Sequence, residues 1–329
     1  MTAIGNDIQQ AVKLLKDGNL VAIPTETVYG LAADASNKEA LHKLFDAKGR
    51  PRNHPVIVHI ASVAQLSDWV AEVPPIAKKL AEKFWPGPLT MIFKKKPHVL
   101  DDVTGGQDTV AIRVPKHDTA LKLLQEFGGG LAAPSANRFG KLSPTEAADV
   151  ANEFETEVAY VLDGGTCDVG IESTIIDMSG DKPRVLRPGM LNLEMLNEVA
   201  GLNATHNNDD VPSVKAPGTL KSHYSPMTPV MLVEADELKT VLQKLNGAAK
   251  TAAVLSFKEE VVNGTNKQTA WIAVPNDPKI YARNLYGNLR KLDTFKCDWI
   301  IVERVPDHDQ WSGIRDRLQR ASFREDNQQ

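Results

Sequence analysis

Residues 21–60, VAIPTETVYGLAADASNKEALHKLFDAKGRPRNHPVIVHI, set a polar strand end, a glycine and a basic loop within one short stretch. The apolar opening Val21 to Ile23 predicts a strand, and Thr25 and Thr27, two apart, put both hydroxyls on one side if the chain stays extended. Gly30 is expected to allow a turn. Asn37–Ala47 carries Leu41, Leu44 and Phe45 at helical spacing, and Lys48, Arg50 and Arg52 follow in what reads as an extended loop, so that Lys48 and Arg50 point to one side. Val56–Ile60 then has the apolar run of a buried strand, with His59 inside it. A strand, a helix and a strand separated by donor-rich loops predict an α/β sheet domain built to hold an anion.

Charge supports the anion. The chain has a formal net charge of −4, yet no Asp or Glu lies between Ala47 and Ser67. Acid-free basic windows recur at Arg138 and Lys141, at Lys182, Arg184 and Arg187, and at Lys215, Lys221 and His223. Each is interleaved with Gly, Pro, Ser, Thr or Asn, which aim backbone and hydroxyl donors at phosphate, so the segments are expected to converge on a nucleotide or another polyanion.

Working outward, further strands are expected at Leu89–Phe93, Val110–Val114, Val158–Leu162, Thr174–Asp177 and Arg184–Arg187. Helices are expected at the N-terminus after Asp7, at Val63–Trp69, Pro75–Phe84, Thr119–Phe127 and Pro144–Glu153, the last opened by a Ser143/Glu146 capping box. The irregular spacing implies a twisted mixed sheet in a first domain, residues 1–200. Residues 201–229, rich in Asn, Asp, Pro, Gly and Ser, read as a linker. From 230 to 329, strands at Val230–Val233, Ala252–Phe257, Thr269–Val274 and Trp299–Val302 alternate with helices at about Ala235–Leu245, Pro278–Leu292 and Ile314–Ala321. That rhythm predicts a small Rossmann-like parallel sheet without a GxGxxG dinucleotide fingerprint.

At 329 residues, 42% hydrophobic and 24% charged, the chain is long enough for two cores. It has no apolar run of membrane-spanning length and no signal-peptide core, so a cytoplasmic protein is expected. Cys167 and Cys297 are its only cysteines, 130 positions apart, which indicates neither a disulfide framework nor a zinc site. There is no Walker phosphate loop and no metal-ligand spacing.

PTETVYGL at 24–31, KGRP at 48–51, HPVIVHI at 54–60, TVAIRVP at 109–115, PSAN at 134–137 and EST at 172–174 resemble, in order, the motifs of the YrdC-type threonylcarbamoyl-adenylate synthases. APGTLKSHYSP at 216–226 is similar to the linker of the long, two-domain members. The resemblance implies the synthesis of threonylcarbamoyl-AMP and pyrophosphate from L-threonine, bicarbonate and ATP, with Mg²⁺ delivered on the ATP. It also implies a downstream threonylcarbamoyl transferase that modifies tRNA beside the anticodon, tRNA itself being met weakly or indirectly. Lys48, Arg50, Ser135 and Asn137 then correspond to the KxR and SxN catalytic signature. Arg50, His54, Thr109, Ser135, Ser143, Arg187 and linker Tyr224 correspond to ATP contacts, and Thr25, Thr27, His59, Arg113, Ala133 and Ser173 to threonine contacts. Many family members carry Asn where His54 stands, with Asn53 just ahead of it here, so either side chain is a candidate for ATP.

Residue chemistry fits these roles. Joining a carbamate to an α-phosphate brings two anions together, which calls for fixed positive charge and positioning. Arg113, inside an apolar strand, requires a carboxylate partner, supplied by the substrate or by a buried protein acid. Tyr224 lies in a linker dense in Pro, Gly and aromatic residues, as a lid over a labile anhydride would be, and its removal is expected to leave the melting temperature little changed. A double-stranded RNA or tRNA-binding module is a second reading, opposed by the acidic net charge. A carbamoyl-transfer domain like that of hydrogenase-maturation proteins is a third, opposed by the absence of CxxC motifs.

Overall fold

The computed structural model describes residues 2–199, 201–206, 214–220, 222–259 and 270–323. Lys221 of the fourth basic window and Thr269 of an expected strand lie outside these residues. The chain divides into two units, Met1–Phe139 with Ser143–Thr219, and Gly140–Leu142 with Leu220–Gln329.

In the first unit the described residues form β1 (Ile4–Gly5), β2 (Val21–Ile23), β3 (Gly30–Asp34), β4 (Ile57–His59), β5 (Leu89–Lys94), β6 (Thr109–Arg113), β7 (Leu131–Ala132), β8 (Tyr160–Leu162), β9 (Thr174–Asp177), β10 (Arg184–Arg187) and β11 (Thr205–His206). Their order is β1-β8-β2-β3-β7-β4-β6-β5-β9-β10-β11. Pairing is mixed: β4 runs parallel to β6 with His59 opposite Arg113, whereas β2 and β3 are antiparallel. The central strands are buried on both faces, and their period of two divides them between clusters. Ala22, Leu31 and Ala33 join one core with Leu41, Leu44 and Phe45 of the helix Lys38–Lys48, while Val21, Ile23 and Ala32 join another with Val12 and Leu15 of the helix Ile8–Lys16.

Three local readings are corrected. Gly30 is not at a turn but opens β3, where a Cβ would come within 3.1 Å of the Ala133 Cβ; the reversal occupies residues 24–29. The helix expected from Pro144 starts at Ala147 with Glu146 as its capping residue, so the Ser143/Glu146 capping box does not form. The intervening backbone is committed elsewhere: Tyr29 N donates to Pro144 O, Cys167 N donates to Thr145 O, and Thr145 N donates to the Asp149 carboxylate. Finally, Lys48 is the last helical residue rather than part of an extended loop, and Gly49 ends the helix with φ of 60°, a left-handed cap that glycine adopts without steric cost.

The second unit holds β12 (Val230–Val233), β13 (Ala252–Ser256), β14 (Ala270–Ala273) and β15 (Trp299–Glu303), all parallel, in the order β12-β15-β13-β14. Its helices are Leu238–Gly247, Pro278–Asp293 and Ser312–Ser322, and the middle one buries Tyr281, Leu285, Tyr286 and Leu289. Asp277 caps that helix, accepting from the Lys279 and Ile280 amides at 2.8 and 2.9 Å. Replacing Asp277 with Ala should cost about 1 kcal/mol by orphaning these donors. Denaturant unfolding followed through the second unit's tryptophans should report that loss, and an unchanged midpoint would contradict the cap.

Candidate functional site

Lys48 is the joint of the site. Its amine donates to the backbone carbonyls of both Ser135 and Asn137, and Phe139 N donates back to Lys48 O at 2.8 Å. The two signature segments, separated by some ninety positions, are thus fastened by one side chain. Burial, with the Arg50 charge adding, holds the Lys48 pKa well below the ordinary lysine value. The Glu153 charge opposes that shift without cancelling it. Lys48 is 2% exposed and Arg50 7%, so truncation of either opens space in a packed region.

Arg50 lies beside the same segment. Its Nη2 donates to Pro55 O at 2.8 Å and its guanidinium stands 5.5 Å from the Phe139 ring centre. His54 is half-buried with its ring edge-on to Phe139; burial first, then the Arg50 and Lys215 charges, push its pKa down. Asn53 is exposed. Arg187 is buried and binds Ser173 O through Nε and Nη2 at 3.1 and 2.9 Å, while its Nη1 donates to Pro217 O at 2.9 Å. The Pro188-Gly189 turn beyond it requires glycine, since a Cβ would meet Thr174 N at 2.6 Å. Arg50 and Lys215, from two of the basic windows, both act on His54, and Arg187 of a third reaches the Pro217 carbonyl two residues beyond Lys215. Not every charge points into the site: Arg52 pairs with Asp46, Arg138 with Glu157 and Arg184 with Asp177.

The Thr25–Arg113 region is a second, buried cluster. Thr25 Oγ1 donates to Val28 O at 2.6 Å, so in its 2.8 Å contact with Thr27 Oγ1 the Thr27 hydroxyl is the donor. Arg113 Nη1 in turn donates to Thr27 Oγ1 at 2.9 Å, giving a directed chain from Arg113 through Thr27 to Thr25. The two hydroxyls meet, but through a bend rather than the extended chain on which the spacing argument relied. The carboxylate that Arg113 requires is present in the protein: Glu26 Oε2 lies 2.7 Å from Nη2, both side chains about 5% exposed or less. Sequence reasoning did not select Glu26; an acid between two threonines at a buried strand end was the available signal. His59 is buried, and its Nδ1 has no hydrogen-bond partner among the described residues. Ser173 Oγ lies 2.7 Å from Thr90 Oγ1, and Ala133 N donates to Ile57 O at 3.0 Å.

The remaining expected residues fall at the edges of these clusters. Ser143 is buried and donates to Glu172 Oε1 at 2.5 Å. Thr109 opens β6, partly exposed. Tyr224 belongs to the second unit, at φ of 60°, its ring 5.9 Å from Tyr286 and 5.3 Å from the Arg317 guanidinium. Because that ring is 1% exposed, its removal costs stability on the order of 3–5 kcal/mol, so the expectation of an unchanged melting temperature is withdrawn. Among the described residues no group of three or more His, Cys, Asp or Glu side chains could hold a metal ion, and no helix is long and apolar enough to cross a membrane.

Burial, with the Arg113 charge adding, lowers the His59 pKa to about 3, whereas an unfolded histidine titrates near 6.5. The unfolded chain therefore binds a proton that the folded one refuses. The contribution of neutral His59 is full above about pH 6.5 and is lost progressively as pH falls toward about 3. Melting of a His59→Gln variant should fall less steeply over that window than melting of the parent, and parallel curves would refute the buried neutral ring.

Comparison with known proteins places this geometry. The family described as Telomere recombination matches residues 13–189, and that described as Threonylcarbamoyl-AMP synthase, C-terminal domain, matches residues 191–322. A Pyrococcus abyssi protein named threonylcarbamoyl-AMP synthase is 39% identical over 326 residues, covering 96% of this chain and 94% of the relative. A Bacillus subtilis protein of the same name is 38% identical over 320 residues, covering 96% and 92%. The crystal structure of P. abyssi Sua5 complexed with L-threonine superposes with a TM-score of 0.89 at 37% identity, covering 98% of this chain and 97% of that one.

Proposed function

The chain belongs to the threonylcarbamoyl-AMP synthase family in its long, two-domain form, and we propose that it condenses L-threonine, bicarbonate and ATP into threonylcarbamoyl-AMP and pyrophosphate. The observation that carries this reading is the near full-length likeness to proteins bearing that name. The geometry agrees at the point where it matters most, since the KxR and SxN segments are held together by Lys48.

In this reading the threonine amine takes up the carbon of bicarbonate with loss of water, and a carbamate oxygen then attacks the α-phosphorus as pyrophosphate leaves. Thr25, Thr27, His59, Arg113, Ala133 and Ser173 hold the amino acid. Arg50, His54, Thr109, Ser135, Ser143 and Arg187 hold the nucleotide, with linker residue Tyr224 added from the family resemblance. Lys48 acts chiefly by setting the position of Ser135 and Asn137, and Arg50 supplies the fixed charge that lets two anions approach. Burial of Arg50, Arg113 and Arg187 strengthens the action of their charges. Mg²⁺ enters as the ion of MgATP, held by phosphate oxygens. The product passes to a threonylcarbamoyl transferase acting on tRNA, and the enzyme works in the cytoplasm.

Pyrophosphate release by the purified protein should require threonine and bicarbonate together; release independent of threonine would refute the reaction. Replacing Arg50 with Ala should lower turnover by about 10²–10³, the usual cost of a preorganised charge contact, and unchanged catalysis in a folded variant would remove it from the anion site. Serine, lacking one methyl group, should be used about 10–200-fold less efficiently than threonine. Equal kcat/KM for the two would exclude a methyl-sensing pocket.

A further inference from the structure

Glu26 and Arg113 face each other in the first unit with their charges matched and with the two carboxylate oxygens and Nη2 lacking hydrogen bonds among the described residues. Glu26 Oε2 stands 2.7 Å from Arg113 Nη2, yet neither carboxylate oxygen nor Nη2 has a hydrogen bond of acceptable geometry among the described residues. Both side chains are about 95% buried or more. Buried polar groups as strong as these are ordinarily satisfied, and an unsatisfied pair in a native site indicates a missing partner. Other groups around them do not fill the role. Arg113 spends Nη1 on Thr27 Oγ1 and Nε on Gly87 O. The nearby Cys167 thiol, which burial above all and the Glu26 charge in addition push up to about 12, is neutral and a weak donor.

An acid and a base lying side by side, each with unused hydrogen-bonding groups, complement a molecule that carries an anion and a cation one carbon apart. An α-amino acid zwitterion is such a molecule. We propose that Glu26 is a specificity-determining residue that accepts the hydrogen bonds of the α-nitrogen of the amino acid, while Arg113 Nη2 donates to its carboxylate. This rests on the threonine-activating reading above. Glu26 selects an α-amino acid over a hydroxy acid of the same shape, because a ligand without the nitrogen leaves the carboxylate buried and unsatisfied. Once the nitrogen has become a carbamate N–H, it retains one donor for the same oxygen.

The test compares L-threonine with its des-amino analogue, (R)-3-hydroxybutyrate, by calorimetry on the full chain, with threonine-dependent pyrophosphate release measured in parallel. The parent should bind threonine at least tenfold more tightly than the analogue. Glu26→Gln keeps the volume and removes the charge; it should weaken threonine about tenfold to a hundredfold, the worth of a hydrogen bond to a charged group. The same variant should leave the analogue unchanged or bind it more tightly, because Arg113 is freed for a carboxylate. Glu26→Asp, retaining the charge, should keep a preference for threonine. A purely structural ion pair predicts equal losses for both ligands, and that result, or an unaltered preference in Glu26→Gln, overturns the proposal. Should Glu26→Gln fail to fold, the parent decides alone: synthase activity without discrimination between the ligands overturns the role of Glu26 and leaves the reaction standing, whereas neither threonine binding nor threonine-dependent turnover overturns both.

Discussion

One buried amine holds the proposed chemistry in register. Lys48 ends its helix where Gly49 turns the chain away, and from there it reaches the carbonyls of Ser135 and Asn137. Those residues lie just past β7, a strand of only two residues that cannot by itself fix the backbone beyond it. The lysine supplies the missing constraint. Its neighbours depend on it: Phe139, which its carbonyl holds, is the ring against which both Arg50 and His54 lie. A site meant to bring two anions together needs groups that do not relax away as they arrive, and the burial of Lys48 against carbonyl groups holds the Ser135 and Asn137 segment in that way.

Arg113 imposes the second constraint. A guanidinium at the buried end of β6 is tolerable only with a counter-charge, and the chain provides Glu26 from the bend, between Thr25 and Thr27. The parallel pairing of β4 with β6 sets His59 directly opposite Arg113. Burial, and then the positive neighbour, lower the pKa of that imidazole. Hydroxyls, a neutral ring and one matched ion pair are what the recognition of a small zwitterion calls for, while the buried guanidinium groups of Arg50 and Arg187 suit a polyphosphate.

Much of this was legible in the sequence where the signal is physical and local. Apolar runs with β-branched residues, such as Thr174–Asp177 and Arg184–Arg187, stand as strands with the bounds expected, and Pro75–Phe84 and the parallel strands of the second unit follow their patterns. Strands that depend on their neighbours were not legible. Gly30–Asp34 reads GLAAD, with no β-branched residue, and becomes a strand only because β2 and β7 pair with it on either side. Ser143 has the composition of a helix cap, but a distant carboxylate, Glu172, takes its hydroxyl. Which charges face the site was likewise hidden: Arg50 and Arg52 look equivalent in a loop, and only the fold turns one inward and gives the other to Asp46. The motif resemblance supplied the candidate residues; the geometry supplied the link among them and the acid the motifs passed over.

The central claim is that this chain makes a carbon–nitrogen bond and then a carbon–oxygen–phosphorus link in one site. Nuclear magnetic resonance of a reaction containing ¹³C-bicarbonate, ¹⁵N-threonine and MgATP observes both at once. The account predicts a carbonyl carbon that shows a one-bond coupling to nitrogen together with a coupling to the phosphorus of AMP. A ¹³C label that remains bicarbonate while ATP is consumed, or a threonine joined to AMP through its carboxylate with no labelled carbonyl, would contradict it.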